Sequence, residues 1–337
     1  MKLSVALIYG GEGCERDVSK NSRNNLRLLI DNERFEVIDV YISDNGEWFL
    51  LKDGDAATPT FPMAKDGKHG LISGTEIVEI DVAIPCLHGN FGEDGIICGA
   101  LTAAHIPTVS EDVYASSLAA DKAYTKTVCE HLGIPTAAWR LSVGESAEEA
   151  LSHSESLLTY PMFIKPARLG SSIGACPVRQ RDDFIPAFNK AKHLAGDRIL
   201  VEKEIKIKHE LECAVFGAKE RKILPGGTVY SNGIFYDFKA KYNSGDLTAA
   251  VSEEYASSPT AKKAAEYAER LADFIGINMI SRIDFFVAEN DDIYFNEINT
   301  FPGMTKTSLY PRMAELLCGG KGFINELILS ALNAGRF

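Results

Sequence analysis

The 337-residue chain carries seven cysteines, at 14, 86, 98, 129, 176, 213 and 318, but no C-x-x-C pair. Several of the seven fall inside apolar runs, so reduced, buried thiols of a cytosolic protein are the simplest account. Long apolar runs are missing too. The opening LSVALI gives way quickly to glycines and charges, too short for a signal peptide or a membrane span; no targeting address is visible, and a cytoplasmic location is expected. Positive charge is scarce: 35 Lys and Arg against 47 Asp and Glu leave a net charge of -12. The acidic excess is spread along the chain rather than gathered in a tail, which argues against nucleic acid or an anionic membrane as partner. Any anionic ligand therefore needs a local basic pocket. Internal repeats and low-complexity tracts are also absent.

What is present is the balance of a soluble globular protein, 45% hydrophobic and 24% charged residues, in a chain too long to be comfortable as one core. Residues 1–111 alternate strand and helix signals (LSVALIYGG, NNLRLLI, FEVIDVYI, VDVAIPCLHG, DGIICGALTAAH), which suggests an α/β unit with a parallel sheet and ligand-carrying loops at its strand ends. Residues 112–206 combine a helix, SSLAADKAYTKTVCEHLG, with β-rich runs split by the glycine turn RLGSSIG, and read as a separate α+β lobe. Residues 207–337 give antiparallel strand signals in ELECAVFG, MISRIDFFVA and DIYFNEINT, the last two joined by the turn ENDD. The polar segment SNGIFYDFKAKYNSGD has the length and composition of a lid loop.

The stretch YGGEGCERDV, Tyr9 to Val18, places a glycine turn between a strand and a helix, where dinucleotide folds seat a pyrophosphate. The spacing G-x-G-x-x-G requires a third glycine where Arg16 stands, so that fingerprint fails. What remains is an acid pair, Glu15 and Asp17, at a helix N-terminus. Such acids either complement the helix dipole or hold an ammonium. Asp284 lies on one predicted strand, while Glu297 and Asn299, two apart, share a face of the next. Three hard oxygen ligands so placed suit Mg²⁺, which takes one or two carboxylates with phosphate oxygens and water. Arg282 points to the side of Asp284, and the loop NTFPGMTKTSLYP offers backbone N–H groups, a combination suited to an oxyanion. Lys165 and Lys241 sit where phosphate contact is natural, Lys122 opens a helix, and Ser171 and Ser172 lie between Gly170 and Gly174 in a turn able to flap over phosphates. His88 follows a buried strand at the carboxyl end of the first sheet.

Together the runs GGEGCERDVS, LHGNFGEDG, DKAYTK, FIKPARLGSSIG, FYDFKAKY, SRIDFF and NEINTFPGMTKTSLYP resemble the ATP-grasp enzymes, and within them the D-alanine:D-alanine ligases, in order and at close to family spacing over essentially the whole chain. The resemblance implies a three-domain ATP-grasp architecture and ligation of two D-alanines through an acyl phosphate for peptidoglycan precursor synthesis. By the same likeness Glu15 would hold the ammonium of the first D-alanine and His88 would border that subsite. Lys122, Lys165 and Lys241 would contact ATP phosphates, with Ser172 beside them. Glu202, Lys203, Ile205 and Glu210 would line the adenine and ribose side. Asp284, Glu297 and Asn299 would hold Mg²⁺, two ions being expected and Mn²⁺ able to substitute. Ser171, Tyr242 and Glu15 would form a hydrogen-bonded bridge closing the lid, Arg282 and the Gly303 N–H would face the tetrahedral carbon, and Ser308 and Leu309 would border the second subsite. A homodimer is implied.

Three departures stand out. The spacing between VEK and HELE is one residue longer than usual, Ser110 replaces a glycine in the interdomain link, and NSGDLTAAV lacks a proline. The nearest alternative is a D-alanine:D-serine ligase, against which apolar Leu309 speaks, since a hydroxyl would need a partner. Tyr242 speaks against a D-lactate enzyme. A non-catalytic ATP-binding relative would have no need of Arg282 beside the metal trio.

Overall fold

The computed structural model describes residues 2–13, 15–52, 56–217, 220–230 and 248–334. The opening apolar run is β1 (Leu3–Gly10), in which Val5, Ala6, Leu7 and Ile8 are fully buried. Parallel neighbours, β2 (Phe35–Ile42) and β8 (Val82–Pro85), flank it. A strand covered on both faces reads as a continuous apolar run. The antiparallel β3 (Trp48–Lys52) and β4 (Ala56–Pro59) extend the sheet to the order β4-β3-β2-β1-β8. The expected parallel sheet is thus the centre of a mixed one. A separate antiparallel sheet of β5 (Pro62–Lys65), β6 (Lys68–Ser73) and β7 (Glu76–Glu79) was not singled out by periodicity, its strands being only 4 to 6 residues long.

The two faces of the first sheet meet different partners. Val5 and Leu7 pack with Leu26 of α1 (Arg16–Leu29) and with Phe323, Ile324, Leu327 and Ile328 of α10 (Phe323–Ala334) from the far end of the chain. Ala6 and Ile8 face Ile97 and Leu101 of α2 (Ile96–Ala103). This two-residue alternation is the pleat at work.

A second sheet, β11-β10-β12-β9, comprises β9 (Trp139–Val143), β10 (Met162–Pro166), β11 (Cys176–Val178) and β12 (Arg198–Lys203). Met162, Ile164, Ile199 and Val201 share a core with Phe184 and Phe188 of α6 (Arg181–Ala195) and with α5 (Ala147–Leu157), which begins in a capping box of Ser146 and Glu149.

The third sheet, β15-β14-β13-β16-β17, is antiparallel and comprises β13 (Ile207–Gly217), β14 (Arg221–Tyr230), β15 (Thr248–Val251), β16 (Ile280–Ala288) and β17 (Ile293–Asn299). A short α7 (Glu253–Ala256) leads into α8 (Pro259–Ile275), bounded as its sequence requires. Ser258 caps the N-terminus, Pro259 occupies the first turn, and left-handed Gly276 ends the helix. Ala264, Ala268 and Leu271 cover Cys213, Val215, Ile283 and Phe285, and α3 (Val113–Ala119) and α4 (Lys122–His131) add Ala115, Ala119, Val128 and Cys129 to that core. The six described cysteines are free. Among the described residues, no helix is long and apolar enough to cross a membrane.

Candidate active site

The β16–β17 hairpin sets the register of the charged row. Asp284 lies opposite Glu297 and Arg282 opposite Asn299, while on the other flank Asp284 faces Glu212 of β13. Three carboxylates therefore stand in line across three strands. Arg282 donates through Nε and Nη2 to the two oxygens of Asp284, both at 2.7 Å, and approaches Glu212 at 3.4 Å. Asn299 Nδ2 donates to Asp284 Oδ2 at 3.0 Å. Burial opposes the Arg282 charge, but Asp284, Glu212 and Glu297 outweigh it and raise its pKa well above the ordinary value. No three His, Cys, Asp or Glu side chains close on one point among the described residues. The candidate ligands are thus two carboxylates and an amide in an open site. With one arginine among three acids the row is rich in negative charge, and hard oxygen donors in this number fit Mg²⁺.

Beside the row, between the second and third sheets, runs a cleft of about 390 Å³, a volume suited to a small ligand. Lys122, Lys165, Ser172, Glu202, Lys203, Ile205 and Glu210 all line it, with Phe163, Ile207 and Phe286 as apolar walls. Lys122 Nζ lies 3.1 Å from Glu297 Oε2 and donates to the Leu169 carbonyl at 2.7 Å. Lys165 Nζ lies 2.7 Å from Glu202 Oε2. Lys126, one turn beyond Lys122 in α4, meets the other Glu202 oxygen at 2.6 Å. Burial would raise the Glu202 pKa, yet the two ammonium groups hold it down at about 2. Lys203 points its ammonium at the carbonyls of Thr159 and Tyr160, at 3.1 and 2.8 Å.

The acid pair of the opening motif divides. Glu15 occupies the N-cap position of α1 without capping it and accepts a hydrogen bond from the Ser171 hydroxyl. Its Oε2 lies over Gly89, where an added Cβ would come within 2.4 Å, and beside Gly170. Among the described residues Asp17, with 93% of its side chain exposed, meets only Lys20, at 3.9 Å, while Arg16 reaches Asp44 at 3.2 Å. Ser171 and Ser172 both hold positive φ, 50° and 57°, in the turn that delivers the hydroxyl to Glu15. His88 is buried; its Nδ1 lies 3.1 Å from the Phe301 carbonyl and its Nε2 3.0 Å from Ser22 Oγ. Only a protonated Nδ1 can donate to a carbonyl. Ser22 in turn accepts the Met304 N–H at 3.1 Å, so α1, the β8 loop and the loop after β17 are tied at one point. In that last loop a Cβ on Gly303 would sit 3.0 Å from Ser308 Oγ, and Thr305 N donates to the same hydroxyl at 3.2 Å. Leu309 begins α9 (Leu309–Leu317) and is buried with Met304 and Tyr310. Lys241, Tyr242 and the proposed lid lie outside the described residues.

Residues 4–110 match the family model described as D-ala D-ala ligase N-terminus, and residues 128–326 match the D-ala D-ala ligase C-terminus. The chain belongs to the D-alanine:D-alanine ligase family. It is 34% identical to the D-alanine--D-alanine ligase of Ruminiclostridium cellulolyticum, the match covering 93% of this chain and 90% of the relative. A second relative, D-alanine--D-alanine ligase B of Clostridium tetani, is 31% identical over 98% of this chain and 94% of its own length. Among solved structures, the D-alanine-D-alanine ligase from Coxiella burnetii superposes with a TM-score of 0.83 at 26% identity, covering 99% of this chain and 95% of that one. The VanG D-Ala:D-Ser ligase from Enterococcus faecalis gives 0.82 at 28% identity, covering 100% of both. The family is one of ATP-dependent ligases with the ATP-grasp fold.

Several residues around this candidate site escaped the sequence reading. Glu212 faces Asp284 only through the β13–β16 register, which no local pattern reveals. Asn296, 3.4 Å from Lys165 Nζ, enters the cleft lining because the β16–β17 pairing steps from Asp284–Glu297 to Phe285–Phe295, leaving it as the extra residue of a bulge. Ser22 lies within an amphipathic helix with nothing local to mark it. Lys126 was also missed, although a signal existed: a helix brings positions four apart onto one face, so Lys126 stands on the side of Lys122.

Proposed function

We propose that the protein is an enzyme joining two D-alanines into D-alanyl-D-alanine at the expense of ATP, for peptidoglycan precursor synthesis. The observation that carries this reading is the adjacency of a lysine-lined cleft to a carboxylate row holding an arginine. Lys122 and Lys165, which line the cleft, would hold phosphate groups, and Phe163, Ile207 and Phe286 would sandwich a base. Asp284, Glu297 and Asn299 would hold Mg²⁺, which supplies charge neutralisation at the phosphate oxygens; two ions are expected, with Mn²⁺ able to replace them.

Glu15, turned inward and fixed by Ser171, would bind the ammonium of the first D-alanine. A carboxylate is a poor electrophile, so transfer of the terminal phosphoryl group of ATP onto the substrate carboxylate makes an acyl phosphate. The deprotonated amine of the second D-alanine then attacks that carbon and phosphate leaves. With Nε and Nη2 donating to Asp284, Arg282 would face the developing oxyanion, and the Gly303 N–H would share it. Lys241 would contact the ATP phosphates, and Tyr242, in the proposed lid segment, would help seal the site against water, which would hydrolyse the acyl phosphate.

A cytoplasmic homodimer is the expected form. Tyr114 at 85% and Ile96 at 53% exposure, on adjoining helix starts of the N-terminal half, offer apolar surface for a second copy. Mass spectrometry of the products made from ATP and mixed D-alanine and D-serine tests the assignment. D-alanyl-D-alanine as the main product supports it, a mixed dipeptide would make the second subsite a D-serine site, and no dipeptide would leave an ATP-binding protein without ligase chemistry.

A further inference from the structure

Lys126 does not line the cleft, yet at 1% exposure it is buried more deeply than Lys122 or Lys165, which do. An ammonium taken so far from water requires a partner. That partner is Glu202, whose second oxygen is already held by Lys165. Lys122 is committed to Glu297. Three ammonium groups, those of Lys122, Lys126 and Lys165, thus pair with two carboxylates, Glu297 and Glu202, and Glu202 takes two of them.

Position decides which of the two partners of Glu202 can meet a ligand. Lys126 is enclosed, whereas Lys165 borders the cleft and also reaches Asn296. The Lys165 ammonium is held below its ordinary pKa, first by burial, with Glu202 opposing and the charges of Lys126 and Lys122 adding to the effect. An anion arriving in the cleft would relieve that crowding. For Lys165 to turn toward such an anion it must loosen from Glu202, and a buried carboxylate left alone is strongly disfavoured. Lys126 removes that obstacle, because Glu202 keeps a partner whatever Lys165 does.

We propose that Lys126 is the standing counter-ion of Glu202, a positioning residue that frees Lys165 for the phosphates of the bound nucleotide. The inference rests on the reading of the cleft as the ATP site. Calorimetric titration of the full chain with ADP and magnesium, alongside adenosine, tests it. Lys126→Met is expected to weaken ADP about tenfold or more, since Lys165 is then retained by Glu202. Adenosine, which has no phosphate, should bind within about twofold of the unmodified protein. Once the Glu202 charge is removed there is nothing for Lys126 to hold, so the Glu202→Gln/Lys126→Met double variant should bind ADP within about twofold of Glu202→Gln alone. Equal losses for ADP and adenosine would mean general damage to the cleft and overturn the proposal, as would unchanged ADP affinity in Lys126→Met or a further large loss in the double variant. Should Lys126→Met fail to fold, the comparison of Glu202→Gln with the double variant decides alone. If the unmodified protein binds neither ADP nor ATP, the reading of the cleft itself falls, and the proposal with it.

Discussion

At the scale of single residues, the site depends on which of two similar side chains turns inward. Glu15 and Asp17 are indistinguishable in composition and both stand at the start of α1, but only Glu15 meets Ser171 and lies over Gly89. Glu15→Gln should therefore raise the KM for the first D-alanine several-fold more than the KM for ATP, since an ammonium loses its charge partner. Asp17→Asn should change neither. Steady-state titration of each substrate separates the cases, and equal behaviour of the two variants would return Glu15 to the role of an acid at a helix end. Glu297 serves the row across β13, β16 and β17 and also pairs with Lys122. If Glu297 holds the metal as proposed, Glu297→Gln should lower turnover by about a hundredfold or more by removing one negative ligand. Its thermal midpoint should stay within a few degrees, because Glu297 lies at the site rather than in a core. Near-normal turnover at ordinary magnesium would remove Glu297 from the metal site.

At the scale of elements, much was legible because each signal was local. The β16–β17 hairpin follows from two strand-forming runs around ENDD, and α8 from its Ser-Pro start and glycine stop. The face shared by Asp284, Glu297 and Asn299 then follows from the two-residue period. What stayed hidden depends on pairing between distant segments: the Glu212–Asp284 register, the bulge that adds Asn296, and the short β5–β7 sheet. The start of α4 shows how an element end serves the cleft. Asp121 caps the helix that carries Lys122 and Lys126, and also accepts from Arg198 and Arg168, at 2.6 and 2.8 Å. Burial would raise the Asp121 pKa, but the two guanidinium groups hold it below the ordinary value. A depressed carboxylate pKa contributes stability that is present above the unfolded value of about 3.9 and lost as pH falls through the folded value. Asp121→Asn retains a capping oxygen but not the charge, so it should cost about 1–3 kcal/mol at neutral pH. The difference from the unmodified protein should shrink as pH falls below about 4. Urea unfolding at pH 7 and below about pH 4 measures both, and a difference independent of pH would assign the effect to packing.

At the scale of the whole molecule, the proposed function requires the amino-acid side, assigned to the first sheet, to stay in register with the third sheet, which carries Arg282 and Asp284. Glu111, at the link between them, supplies that connection. Its buried carboxylate accepts the N–H groups of Asn278, Met279 and Ile280, with shortest distances of 2.7, 3.1 and 2.8 Å, and the Ser281 hydroxyl at 2.9 Å. These are the residues immediately before Arg282, so one side chain from the link fixes the approach of β16. No local pattern marks this role, because Glu111 is one more acid in a loop until the two segments meet. Glu111→Ala would leave three N–H groups and a hydroxyl facing a cavity. Each unsatisfied buried group costs about 1–3 kcal/mol, so a loss of about 3 kcal/mol or more is expected even after water enters. The chain's two tryptophans report on separate units, Trp48 in the first sheet and Trp139 in the second. With the link intact, fluorescence and far-ultraviolet circular dichroism should show coincident unfolding transitions; in Glu111→Ala they should separate. Coincident transitions in the variant, with stability within about 1 kcal/mol of the unmodified protein, would show that apolar packing of α10 on β1 holds the units together without Glu111.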